Sequence, residues 1–108
     1  MTDALQPFTI IYAPITKQHL RSIEPKYFPL IRDTIQEQLT FEPTTETRNR
    51  KPLKRPVLVA ATWEIRFGPN NRFRVFYDVD RLEALVSILA IGIKERNVII
   101  IGGEEITL

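Results

Sequence analysis

The chain has no cysteine, one histidine, one tryptophan and one methionine among its 108 residues. Without cysteine there is no disulfide framework, no thiol nucleophile and no thiolate metal site. The lone histidine, His19, sits in a short helical region and is expected on the surface. No apolar run approaches bilayer-spanning length, and Met1 to Pro7 is polar, unlike a secretory leader. The cytoplasm is the expected compartment, with no membrane role. The hydrophobic fraction of 44% and charged fraction of 26% are ordinary for a globular protein. The length suits a single domain over residues 1–108 with a modest core.

Acidic residues are scarce in one region. From Arg48 to Arg74 there are eight Lys or Arg against the single acid Glu64, a local charge of +7, while the remainder of the chain carries −5. The net charge of +2 therefore hides a basic middle, the electrostatic footprint of a polyanion-binding surface.

Within that region, Trp63 to Asp80 reads as two alternating runs around Gly68-Pro69-Asn70-Asn71. Odd positions carry Trp63, Ile65, Phe67, Phe73, Val75 and Tyr77, and even positions carry Glu64, Arg66, Arg72, Arg74 and Phe76. Successive side chains of a strand point to opposite faces, so this predicts a hairpin with one apolar and one cationic face. Opposed side chains must share a face, which selects Phe67 opposite Phe73, Ile65 opposite Val75 and Trp63 opposite Tyr77. The same register sets Arg66 opposite Arg74, a like-charge pair costing some tenths of a kcal/mol, up to about one. Glu64 can offset this as a salt-bridge partner, or an anion such as a phosphate can sit between the arginines. Parity sends Trp63 and Tyr77 to the core and leaves Phe76 among the cations, where it can stack on a base or be partly buried under the C-terminal tail or a partner.

Along the rest of the chain, Phe8 to Tyr12 reads as a strand, Ile15 to Ile23 as a short helix and Tyr27 to Leu39 as a longer amphipathic helix. Thr40 to Pro56 is a polar connection, long for a compact domain and so functional or mobile. Asp80 to Ile93 is ambiguous. Asp80 with Glu83 resembles a helix capping pattern, yet Leu85 to Ile93 also suits a strand buried on both faces. Local rules slightly favour the helix. Val98 to Ile101 is a last short strand, followed by a Gly102-Gly103 turn and an acidic tail.

Four segments coincide in order and spacing: K-P-L-K (Lys51 to Lys54), W-E-I-R-F (Trp63 to Phe67), R-F-R-V-F-Y-D-V-D (Arg72 to Asp80) and L-A-I-G-I-K-E-R-N (Leu89 to Asn97). In these the chain resembles the RelE/ParE superfamily of bacterial type II toxin–antitoxin toxins, most closely RelE-like variants of the cyanobacterial type. The resemblance implies an α+β fold, with an N-terminal strand and helix pair packed on a small antiparallel sheet. It also implies that Leu85 to Ile93 is a central strand, tertiary context overriding the local pattern.

RelE-type toxins are ribosome-dependent endoribonucleases that cut mRNA by attack of a ribose 2′-OH on the adjacent phosphate, without metal or cofactor. That chemistry needs a proton acceptor, cations at the phosphate and a proton donor. The resemblance carries three cations over, Arg66, Arg74 and Arg96. Where the family places a first strand cation this chain has Glu64, and the late tyrosine of many members has no counterpart in Val98 to Ile101. Glu64 is then the candidate proton acceptor, a weak one beside arginines, implying slow or strongly ribosome-assisted cleavage. Arg48, Arg50, Lys51, Lys54, Arg55, Arg72, Phe76 and Lys94 are candidate RNA contacts, the cations contributing salt-dependent affinity with little base information. The implied partners are the ribosome, mRNA and a cognate antitoxin, with operator DNA reached only through that antitoxin. Its docking regions are expected at Tyr27, Phe28 and the cationic face. The ParE branch, which inhibits DNA gyrase without nuclease chemistry, and an inactive antitoxin-binding member are the alternatives.

Overall fold

Alternation and helical periodicity divide the chain into two layers. A computed structural model describes residues 6–55 and 60–106; the first residues of the polar N-terminus and Pro56, which closes the basic connection, lie outside the described residues. Strand β1 (Thr9–Tyr12) leads into helix α1 (Thr16–Arg21). A single 3-10 turn, Pro25–Tyr27, feeds helix α2 (Phe28–Leu39), with Pro29 in the first turn, where the missing amide costs no helical hydrogen bond. Ile31, Ile35 and Leu39 recur every fourth residue and are the buried stripe of α2.

Strands β2 (Arg50–Pro52), β3 (Trp63–Phe67), β4 (Phe73–Asp80), β5 (Leu85–Glu95), β6 (Val98–Ile101) and β7 (Glu104–Ile106) follow. They form an antiparallel sheet in the order β2-β3-β4-β5-β6-β7. β1 adds in parallel beside the first half of β5, on the edge whose second half pairs with β6. The stretch read as an acidic tail is thus an edge strand, β7, whose Ile106 faces Ile99.

The hairpin of β3 and β4 has the expected register throughout, including Arg66 opposite Arg74. The α+β architecture is also as expected. The ambiguous stretch is the central strand. Asp80 Oδ1 does accept the Glu83 amide at 3.0 Å, but the bond closes a tight turn that joins Asp80 to its partner Leu85. An Asx turn and a helix cap begin with the same hydrogen bond, and the apolar run that follows is needed in the middle of the sheet.

That run serves both faces because of a bulge. Partners pass from Phe76–Ala90 to Tyr77–Ile88, leaving Leu89 as an extra residue. Val86, Ile88, Ile91 and Ile93 join the core under the helices with Ile31, Ile35, Leu39, Phe73, Val75 and Tyr77. Leu89 and Ala90 join a second cluster on the opposite face with Leu53, Ala61, Phe76, Ile99, Ile101 and Ile106. Gly92 follows because a Cβ there would approach an Ile101 side-chain carbon at 2.8 Å and the Ile100 carbonyl at 2.9 Å.

His19 is buried, not on the surface as expected. β1 stops pairing at Ile88 and β6 begins at Gly92, so the Ile91 amide falls in the gap between them. His19 Nδ1 accepts that amide at 3.3 Å. The side chain supplies the partner that neither strand can provide.

Candidate nucleic-acid interface

The long connection after α2 is pinned at two points. Tyr77 is buried on the helix side and donates its hydroxyl to the Pro43 carbonyl at 2.7 Å. Burial, its largest influence, raises the phenol's pKa well above the ordinary tyrosine value. Arg50 donates to the carbonyls of Thr45 at 2.8 Å and Gln38 at 2.9 Å and to the Gln38 side-chain oxygen at 2.8 Å. It neutralises the carbonyl end of α2. Arg50 was expected at RNA; it is buried, with its guanidinium committed to the helix end, and this removes it from the surface set.

Parity and register place Glu64, Arg66, Arg74 and Lys94 on the face of the sheet opposite the helices, and Arg72, in the hairpin loop, borders a hollow with Lys94. Phe76 shares that face but is completely buried in the second apolar cluster and has no face free for a base. Of its two expected roles, burial holds, with Ile106 of the C-terminal stretch in the same cluster, and base stacking does not. The open face is therefore apolar at one end and charged at the other.

At the charged end, Glu64 Oε1 accepts from Arg66 Nε at 2.5 Å and from Arg74 Nη1 at 3.4 Å. Arg74 Nε also donates to the Asn71 carbonyl, at 3.3 Å, in the hairpin loop. The side chains of Glu64 and Arg74 are only 7% and 6% exposed, whereas Arg66 is 41% exposed. Burial is the main influence on Arg74 and lowers its pKa from the ordinary arginine value; Glu64 opposes that effect and Arg66 adds to it. An arginine still remains charged at any physiological pH.

Glu64 and Arg66 line a hollow of about 510 Å³ with Glu46, Lys51, Pro52, Leu53, Lys54 and Arg55. Lys51 is the register partner of Glu64 across β2 and β3 and pairs with Glu46 at 3.3 Å. Arg48 is exposed and lines a smaller neighbouring hollow that Arg66 also borders. The structure thus gathers Arg66, Lys51, Lys54 and Arg55 around one concavity, with Arg74 buried behind it.

Arg96 is not part of this group. Arg74 faces Gly92, and Arg96 lies four residues beyond, in the turn from β5 to β6. Ideal strand spacing makes that offset about 13 Å. Arg96 adopts a left-handed backbone (φ 56°) and lines a second hollow of about 400 Å³ with Arg72, Lys94, Pro69 and Asn70. Arg72 there pairs with Glu95 at 3.6 Å. The expected three-arginine cluster is therefore two cationic sites, one on the β2 side of the hairpin and one between its loop and the β5–β6 turn.

All three tyrosines and the histidine lie elsewhere. Tyr27 packs on Phe73 with ring centres 5.0 Å apart, and Tyr12 borders an apolar cleft with Leu20, Phe28, Ile31, Arg32 and Ile91. Among the described residues no group of histidine, aspartate and glutamate is arranged to hold a metal. No helix among them is long and apolar enough to cross a membrane.

No protein-family model matches the chain, and no curated protein matches it. Among solved structures it is similar to a chain of the crystal structure of the toxin–antitoxin complex RelBE2 from Mycobacterium tuberculosis. The TM-score is 0.68 and the identity 25%, over 86% of this chain and 98% of that one. The near-complete overlap, with the helix pair and the antiparallel sheet in place, supports a RelE-like toxin of a type II toxin–antitoxin system.

Proposed function

We propose that this toxin inhibits translation as a ribosome-dependent mRNA endoribonuclease, binding the RNA backbone on the open face of its sheet. The observation that supports this reading best is the concavity at Arg66, rimmed by Lys51, Lys54 and Arg55 on adjacent strands and the connecting loop. A half-exposed guanidinium on a rigid strand is suited to phosphate, which it contacts through paired donors. Arg74 supports that position from behind. Arg72, Lys94 and Arg96 supply a second phosphate contact between the hairpin loop and the β5–β6 turn.

The chemistry in this reading is 2′-OH attack on the adjacent phosphate, with Arg66 stabilising charge as it develops. Two carboxylates border the same concavity; Glu46 pairs with Lys51, and Glu64, in contact with Arg66, is the proton acceptor in this reading. No tyrosine or histidine stands nearby to protonate the leaving 5′-oxygen, so the ribosome or solvent supplies that proton. The antitoxin partner would dock on the apolar cleft at Tyr12, Leu20, Phe28 and Ile31, with Ile11 of β1, Ile15 and Leu30 also exposed. Tyr27 contributes less than expected because its ring is taken up by Phe73.

The test is a cell-free translation reaction with purified toxin and mapping of mRNA 3′ ends. Codon-phased cuts that disappear when ribosomes are omitted are expected. Intact mRNA together with loss of gyrase supercoiling would instead favour a ParE-like inhibitor. The separation of Arg96 from Arg66 supports that second reading, because it takes away one of the three arginines that the nuclease resemblance brings together at the phosphate.

A further inference from the structure

The Glu64 carboxylate stands where an incoming phosphate oxygen is expected. Its Oε1 is shared by Arg66 Nε and Arg74 Nη1, from guanidinium groups on directly opposed residues of adjacent strands. Two like charges brought together in this way need an anion between them, and in the free protein Glu64 is that anion. An RNA phosphate arriving at Arg66 meets a carboxylate already in place and is repelled by it.

We propose that Glu64 is a built-in counter-ion that occupies the anion site in the free toxin and is displaced from Arg66 when RNA phosphate binds. The inference rests on the reading of the Arg66 concavity as a phosphate site and adds a positioning residue that sets its affinity threshold. The surroundings give the carboxylate a destination. Lys51 lies directly across from Glu64, and Lys54 and Arg55 line the same concavity. A carboxylate leaving Arg66 therefore remains among cations. The two arginines divide the work by exposure: Arg66 meets the ligand, and the buried Arg74 holds Glu64 in place in the resting state. A proton acceptor in this position has to give up arginine donors before it can take a proton on Oε1. Counter-ion release and base action are thus successive demands on one side chain.

The experiment measures binding of a single-stranded RNA oligonucleotide, 2′-O-methylated to block cleavage, across a salt series. The full chain is compared with Glu64→Gln, Glu64→Asp, Arg66→Ala and the remote Glu83→Gln. Glu64→Gln is expected to bind about tenfold tighter, with a salt dependence steeper by about one unit. Glu64→Asp restores the weaker binding. Glu83→Gln reports the effect of one unit of net charge and should change affinity little. If Glu64→Gln matches the starting protein or Glu83→Gln while Arg66→Ala loses affinity, the counter-ion role is overturned and the phosphate site stands. If Arg66→Ala binds as well as the starting protein, the phosphate reading itself falls. Should Glu64→Gln not fold, the Arg66 Nε–H resonance is followed in the unmodified toxin as the same RNA is added. A clear shift on saturation is expected; an unmoved resonance overturns the proposal.

Discussion

The helix-covered face of the sheet and its open face come from the same strands by simple alternation, yet they manage burial differently. Under the helices, Ile31, Ile35 and Leu39 meet Phe73, Val75, Ile88 and Ile91 in a core with the Tyr77 hydroxyl accounted for by Pro43. On the open face no helix arrives. One end is closed by short edge elements that bring Leu53 and Ile106 over Phe76 and Ala90, and the other end is left to charge. The apolar face supplies cohesion. The open face uses the rigidity so obtained to keep Arg66 and Arg74 opposed, which flexible chains would avoid.

If this division holds, changes on the two faces should separate stability from RNA binding. The largest effect is expected from Phe73→Ala, which should cost about 3–5 kcal/mol in chemical denaturation by leaving a cavity beside Tyr27 and Phe67. Next is Arg50→Ala, expected to cost roughly 2–3 kcal/mol, because the Gln38 and Thr45 carbonyls lose a buried charged donor. Its RNA affinity, measured at a temperature where the variant is folded, should be unchanged. A weaker RNA complex from a stable Arg50 variant would return that residue to the interface. Tyr77→Phe should cost about 1–2 kcal/mol by leaving the buried Pro43 carbonyl without its donor.

Arg66→Ala sharpens the contrast from the other side. Stability should fall by about 1 kcal/mol, because the buried Glu64 keeps only Arg74 as partner, while the salt dependence of RNA binding becomes shallower by about one unit. The smallest effect concerns pH. Burial lowers the pKa of His19 below its usual value, so the unfolded chain binds the proton more readily than the folded one. Stability is then fully present above the unfolded value of about 6.5 and declines as pH falls through the folded one. Denaturation midpoints should fall between neutral pH and about pH 5.5 more steeply in the parent than in His19→Gln, where an amide oxygen can still accept the Ile91 amide. Equal slopes would show that the imidazole is not responsible.

The hairpin was legible down to its register because alternation and like-with-like pairing are both short-range constraints. Arg66 opposite Arg74, Trp63 opposite Tyr77 and Phe67 opposite Phe73, which leaves Gly68 to Arg72 as the loop, all follow from parity. Less was legible where one residue type has two uses. Arg50 and Lys51 are neighbours in a basic run, but one is buried at the end of α2 and the other borders the concavity. Phe76 has the parity of the cations, and only the arrival of Leu53, Ile99 and Ile106 from other elements turns it into core. His19 looked solitary because its partner, the Ile91 amide, lies 72 residues away in the chain. The central strand was hidden by a capping-like Asp80 that closes a turn equally well.

Composition, charge placement and the alternation from Trp63 to Asp80 are properties of neighbours in the chain. They suffice for a thiol-free domain with a basic middle and a hairpin whose two faces differ in chemistry. The partition of the cations depends on which elements meet in space. It buries Arg50, shelters Arg74 behind Glu64, exposes Arg66 and sends Arg96 to a second hollow beside Arg72. Formal charge is a local attribute, whereas solvent exposure and the company a charge keeps are set by contacts between distant segments, and these decide whether an arginine supports the fold or meets a ligand.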